Sequence, residues 1–117
     1  MIRGLGCDLC AISRMEKIMA DRRFLHRYFT EGERAYIAAR ARGAQTAAGI
    51  FAAKEALVKA LGTGFSQGIG PRQIEICNTP EGKPQLRFLD CAARRAQALG
   101  VRRRHVSLSH DRGAAVA

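Results

Sequence analysis

A chain of 117 residues has the length of one domain, and 47% hydrophobic residues with only three prolines describe a folding globular protein rather than a disordered segment. Twenty Lys and Arg against ten Asp and Glu give a formal charge of +10, which favours a polyanion, an acidic protein or a phosphate-rich ligand without choosing among them. No run is apolar enough to span a bilayer, and Met1 to Asp8 carries Arg3 and Asp8 before any apolar stretch builds up, unlike a signal peptide, so no membrane and a cytoplasmic setting are expected.

In chain order, Ile2 to Leu9 reads as a short first strand, and Ala11 to Ala20 as a helix with Ile12, Met15 and Met19 at helical spacing. Asp8 then stands where strand gives way to helix. Thr30 with Glu33 three residues on is a capping-box signature, opening a helix through Ala35, Tyr36 and Ala39 toward Gly43. Residues 44–61 form a long alanine-rich helix stopped by Gly62-Thr63-Gly64. Gln73 to Cys77 alternates, 80–84 holds turn residues and Gln85 to Phe88 continues extended, which makes a hairpin. Asp90 caps a helix through Ala92, Ala93, Ala96 and Leu99, ended by Gly100, and Val106 to Ser109 alternates as a last core strand. With no repeat or linker, residues 1–117 make a single α+β domain: a small antiparallel sheet packed against a long central helix.

Four cysteines stand at Cys7, Cys10, Cys77 and Cys91. One C-x-x-C spacing without a second half reads as small buried hydrophobes rather than zinc ligands.

The long helix is apolar or small almost all round, which marks it as buried. Glu55 and Lys59 nonetheless share a face beside Ala48, Phe51 and Ala52, where an unpartnered charge costs several kcal/mol, of order. The plain reading pairs the two at the helix surface, worth about 0.3 to 0.5 kcal/mol. The chemical reading adds Asp8, held rigidly at a strand end. Two such carboxylates make a hard-oxygen site for Mg2+, with phosphate oxygens and water completing the octahedron.

These residues fall in two blocks. Gly6-Cys7-Asp8-Leu9 with Ile12-Ser13-Arg14-Met15-Glu16-Lys17 resembles the first signature of the holo-[acyl-carrier-protein] synthases, and Phe51-Ala52-Ala53-Lys54-Glu55-Ala56 through Lys59-Ala60-Leu61-Gly62-Thr63-Gly64 resembles the second. Arg27-Tyr28-Phe29-Thr30 with Glu33 and Tyr36, Gly82-Lys83-Pro84 before Leu86, and His105 to His110 extend the resemblance over nearly the whole chain. It implies the 4'-phosphopantetheinyl transferase fold and transfer of 4'-phosphopantetheine from coenzyme A to a serine of apo-acyl-carrier protein, yielding 3',5'-ADP, in fatty acid or polyketide biosynthesis. Under it, Asp8 and Glu55 hold Mg2+, and Lys59 neutralises the transferred phosphoryl group. Gly62, Thr63 and Gly64 lie near phosphate, and Gly82, Lys83 and Pro84 near adenine.

Taken alone, Gly62 is a helix cap and Gly82 a hairpin turn, roles compatible with both contacts. His110 has the strand parity of Val106 and Leu108, so it is either a satisfied inward histidine or a phosphate contact. Arg14, Lys17, Ile18 and Arg22, followed by Arg23 and Arg27, offer a docking face for an acidic carrier protein, unless they are a solvated basic surface. The resemblance also implies a homotrimer with active sites between subunits.

Two departures stand out. Ile50 replaces the arginine common just before Phe-Ala in the family, removing an expected phosphate contact, and Ala114-Ala115-Val116-Ala117 is shorter than the usual final strand. A basic nucleic-acid-binding domain is the rival reading, drawn from the +10 charge and Arg102-Arg103-Arg104; it gives Asp8 and Glu55 no role and finds few aromatics. A trimeric module that binds without turnover leaves Asp8, Glu55 and Lys59 equally unexplained.

Overall fold

The computed structural model describes Met1–Ala117. Its organising element is α4 (Gly43–Leu61), whose 19 residues make roughly 28 Å of helix. Alanine suits this position twice, as the best helix former and as a side chain small enough to admit neighbours on every side. The helix touches α1 (Ile12–Ile18), α3 (Glu31–Ala39), β1 (Leu9–Ala11), β2 (Ile74–Asn78), β4 (Ser109–His110) and β5 (Ala114–Val116). The core gathers around it, taking Met15, Phe29, Ile37, Ile74, Ile76, Leu86, Ala92 and Ala115 from the surrounding elements.

The strands form two antiparallel sheets, β1-β5-β4 and β2-β3, the latter using β3 (Pro84–Phe88). In the first sheet Leu9 faces Val116, Cys10 faces Ala115 and Ala11 faces Ala114. In the second, Ile76 faces Leu86 and Asn78 faces Pro84. The intervening turn closes through Gly82 N–H donating to Thr79 O at 2.8 Å, with Gly82 at φ +90°. The α+β class, the small antiparallel sheets and the long central helix are as the sequence leads one to expect.

Several local expectations change. The first strand is Leu9–Ala11 rather than Ile2 to Leu9. The segment before Asp8 lies on α4 instead of joining a ladder: a Cβ at Gly4 would stand 2.1 Å from Ala60 O and one at Gly6 1.7 Å from Ala56 O. A helix not read from the sequence, α2 (Arg22–Tyr28), starts where the Asp21 carboxylate accepts from the N–H groups of Arg23 at 2.9 Å and Phe24 at 3.4 Å. The Thr30 capping box is present, yet Glu33 also reaches beyond its own helix. Helix α5 (Asp90–Ala98) begins at Asp90 without a cap from that side chain; the Gln73 carboxamide oxygen instead accepts from Ala92 N–H at 3.0 Å. The final strand is β5, in the middle of its sheet, while of the expected Val106 to Ser109 strand only Ser109 is laddered, in β4 with His110.

Candidate active site

Asp8 arrives from the N-terminal side of β1 and is fixed by a reciprocal backbone pair with Ala117, Asp8 N–H to Ala117 O at 3.0 Å and Ala117 N–H to Asp8 O at 3.1 Å. The glycine contacts just before it lay this segment along the last turns of α4. There Lys59 Nζ donates to Asp8 Oδ1 at 2.9 Å and to Cys7 O at 3.0 Å. The pair is open to water, with side chains 55% and 18% exposed for Lys59 and Asp8. Its hydrogen bond and charge hold the Lys59 ammonium above the ordinary lysine value, so it stays a cation.

Lys59 thus pairs with Asp8 and not with Glu55, four residues back on its own helix. The half-buried Glu55 carboxylate accepts from the Tyr28 hydroxyl at 3.1 Å through Oε1. Both carboxylates act on common neighbours: their charges reach Cys10, Tyr28 and Lys59 together. Burial is the main cause raising the Cys10 thiol, while Arg14 lowers it, which brings Arg14 into the same electrostatic neighbourhood.

The donor set discriminates among cations. No group of three or more His, Cys, Asp or Glu side chains is arranged to hold a metal. Two oxygen-only side chains fit Mg2+, which keeps several waters and takes its remaining ligands from substrate phosphates. They do not fit a closed zinc or calcium site. All four cysteines are free thiols, only Cys10 being buried.

The other residues singled out from sequence divide between regions. Gly62 terminates α4 at φ +80°, and the Thr63 hydroxyl donates to Gly64 O at 2.8 Å, keeping this loop near Lys59 in sequence and space. Lys83 and Pro84 sit elsewhere, with Arg87, Arg102, Arg103 and Arg104 along an open groove of about 560 Å³ that includes none of Asp8, Glu55 and Lys59. Gly82 forms the turn beside it. His110 is exposed rather than inward-facing, because β4 is short and turned to solvent; its Nε2 lies 3.0 Å from Gln45 Nε2. Since Gln45 precedes Lys59 by fourteen helical positions, His110 stands roughly 20 Å along α4 from that ammonium. Within one chain it therefore does not join the Asp8–Lys59 cluster. Arg14, Lys17 and Arg22 are exposed on α1 and α2, and Ile18 is partly buried against the core.

Sequence reasoning quoted Tyr28 and Lys54 only as parts of matching motifs and gave neither a role. Lys54 is wholly buried in an ion pair with Glu33 and donates to Tyr28 O at 2.8 Å and Pro71 O at 2.9 Å. Glu33 also accepts from Thr30 N–H and Ile76 N–H, each at 2.8 Å. Burial pushes the Glu33 carboxyl up and the Lys54 ammonium down from their ordinary values, each partly offset by the other's charge. The Asp21 cap followed by Phe24 and Tyr28 at i, i+4 was the available signal for α2.

An α+β domain whose central helix brings Lys59 to Asp8 near its end and carries Glu55 one turn earlier has the group types that phosphate-ester chemistry employs. Residues 4–117 match the family model described as 4'-phosphopantetheinyl transferase superfamily. The holo-[acyl-carrier-protein] synthase of Desulfovibrio desulfuricans is 50% identical over 119 residues, covering 100% of this chain and 94% of that protein. That of Methylobacterium sp. strain 4-46 is also 50% identical, covering 95% and 87%. Among solved structures, the holo-[acyl-carrier-protein] synthase of Neisseria meningitidis superposes with a TM-score of 0.90 at 27% identity, covering 99% of this chain and 94% of its own. The Bacillus anthracis synthase in complex with CoA (3',5'-ADP) gives 0.77 at 34% identity, covering 99% and 92%. The chain belongs to the 4'-phosphopantetheinyl transferase superfamily and, within it, to the holo-[acyl-carrier-protein] synthases. It is a phosphopantetheinyl transferase.

Proposed function

We propose that this chain transfers 4'-phosphopantetheine from coenzyme A to a serine of an acidic apo-acyl-carrier protein, with Mg2+, in fatty acid or polyketide biosynthesis in the cytoplasm. The observation that supports the reading is the hydrogen bond from Lys59 Nζ to Asp8, 51 positions away, with the Asp8 and Glu55 charges acting on the same neighbouring groups. Asp8 and Glu55 would hold the ion, which when bound neutralises and orients the coenzyme A diphosphate. Lys59, kept protonated by Asp8, stabilises charge on the phosphoryl group as the serine oxygen–phosphorus bond forms and the diphosphate bridge breaks to release 3',5'-ADP. The serine proton passes to a water or to one of the two carboxylates.

In the same reading, Gly62, Thr63 and Gly64 approach phosphate, Gly82, Lys83 and Pro84 contact adenine, and Arg14, Lys17, Ile18 and Arg22 receive the carrier protein. A homotrimer reconciles the separation of His110 from Lys59, since His110 of one subunit then serves the Asp8 cluster of another. Support comes from the apolar side chains left exposed at Ile2, Leu5, Leu9 and Val116, of which Leu9 and Val116 are paired on adjoining strands.

Incubating an apo carrier protein with this enzyme, coenzyme A and Mg2+ should add the mass of one phosphopantetheine to the carrier. Asp8→Ala and Glu55→Ala should abolish that addition while leaving the circular dichroism spectrum unchanged. Undiminished transfer by both variants would refute the metal assignment.

A further inference from the structure

Tyr28 lies between a structural ion pair and the candidate active site. Its ring is buried at 8% exposure, stacked on Phe51 with centroids 4.8 Å apart and on Phe24 at 5.3 Å, and met edge-on by Phe65 at 6.0 Å. Its backbone carbonyl accepts from Lys54 Nζ at 2.8 Å, and that ammonium is itself fixed by Glu33 and Pro71 O. Its hydroxyl donates to Glu55 Oε1 at 3.1 Å. Lys54 and Glu55 are consecutive on α4, and so point in directions about 100° apart. One residue thereby joins the buried face of the helix to its catalytic edge.

We infer that Tyr28 is a positioning residue for Glu55: its phenol holds Oε1 in place, so that the carboxylate would be presented to the divalent cation in one orientation. Two observations carry this. The phenol is the protein donor that Glu55 accepts from, so without it the side chain is free to rotate about its terminal torsions. The aromatic stack and the Lys54 contact leave the Tyr28 ring no comparable freedom. Outer partners that orient a metal-holding carboxylate typically change metal affinity about 10- to 100-fold when removed.

The inference rests on the proposed metal reading, and the test separates the two. Tyr28→Phe removes one oxygen and keeps the ring stack. Mn2+ binding to the full-length protein, followed by electron paramagnetic resonance of the free ion, should weaken by roughly 10-fold, while the thermal midpoint stays near that of the wild type. The Mg2+ concentration for half-maximal turnover should rise in parallel, with kcat recovered at saturating Mg2+. Glu55→Gln, run beside it, should lose Mn2+ binding. Unchanged Mn2+ affinity in Tyr28→Phe, with loss in Glu55→Gln, overturns the role of Tyr28 and leaves the metal reading standing. Unchanged affinity in Glu55→Gln overturns both.

Discussion

Helix α4 carries two lysine–carboxylate pairs five residues apart, and their surroundings give them opposite work. Lys54 and Glu33 are wholly buried, each with further hydrogen bonds, and join α4 to α3, β2 and the end of α2. Lys59 and Asp8 meet in water at the end of the helix, and half of the Lys59 side chain is exposed. A buried pair is hard to break because either partner left alone is an uncompensated charge in a medium that solvates it poorly. An exposed pair holds loosely, since water replaces each partner at little cost. The first arrangement therefore suits a scaffold, and the second suits a site whose carboxylate must exchange its lysine for an incoming ligand.

The sharpest way to break the comparison is to neutralise one lysine at a time. Lys54→Met should destabilise the fold by about 3 to 5 kcal/mol, read as a lower denaturant midpoint, because Glu33 is left buried without a cation. Adding Glu33→Gln in the same chain should recover part of that loss. Lys59→Met should leave the midpoint near that of the wild type and lower kcat by roughly 10²- to 10³-fold, the usual cost of losing one group that stabilises transition-state charge. Equal loss of stability in the two single variants would erase the distinction.

The contrast also marks what the sequence discloses. The bounds of α4 were legible to within a residue because an alanine-rich run closed by Gly62 is a local signal. The hairpin and α5 were likewise local. The first strand was misplaced because Gly4 and Gly6, which look like strand residues, serve contact with helix backbone. The three-residue β5 is too short to show alternation. At the site, Asp8, Glu55 and Lys59 were singled out as candidates, but helical spacing alone offered Glu55 as the partner of Lys59, whereas the chain supplies Asp8, 51 positions away. Lys54, inside the motif, drew no attention: its partner Glu33 was already explained as half of a capping box, and a second role for the same carboxylate leaves no trace in spacing.

Asp8 is placed by backbone contact, which allows a finer cut. Gly6→Ala puts a methyl 1.7 Å from Ala56 O, so the segment must lift from α4 and carry Asp8 with it. Displacement of about 1 Å is expected to lower kcat on the order of 10²-fold. The effect on Tm should be smaller than for Lys54→Met, because the segment has solvent to move into. Wild-type turnover in Gly6→Ala would mean that Asp8 needs no such rigid seat.

The smallest expected effect concerns a carboxylate with no lysine. Asp111 is exposed, and its Oδ1 accepts from Gly113 N–H at 2.8 Å and Ala114 N–H at 3.0 Å in the turn that delivers β5. These N–H groups hold its carboxyl below the ordinary value of 3.8. A pKa depressed in the fold means stabilisation that is fully present above 3.8 and lost as the pH falls through the lower folded value. Asp111→Asn should accordingly melt slightly below wild type at neutral pH, and the gap should close as the solution is acidified past that range. Because β5 leads into Ala117, whose backbone holds Asp8, a loosened turn should also weaken Mn2+ binding slightly at neutral pH. A gap in melting temperature that persists into strong acid would assign the contribution of Asp111 to its shape rather than its charge.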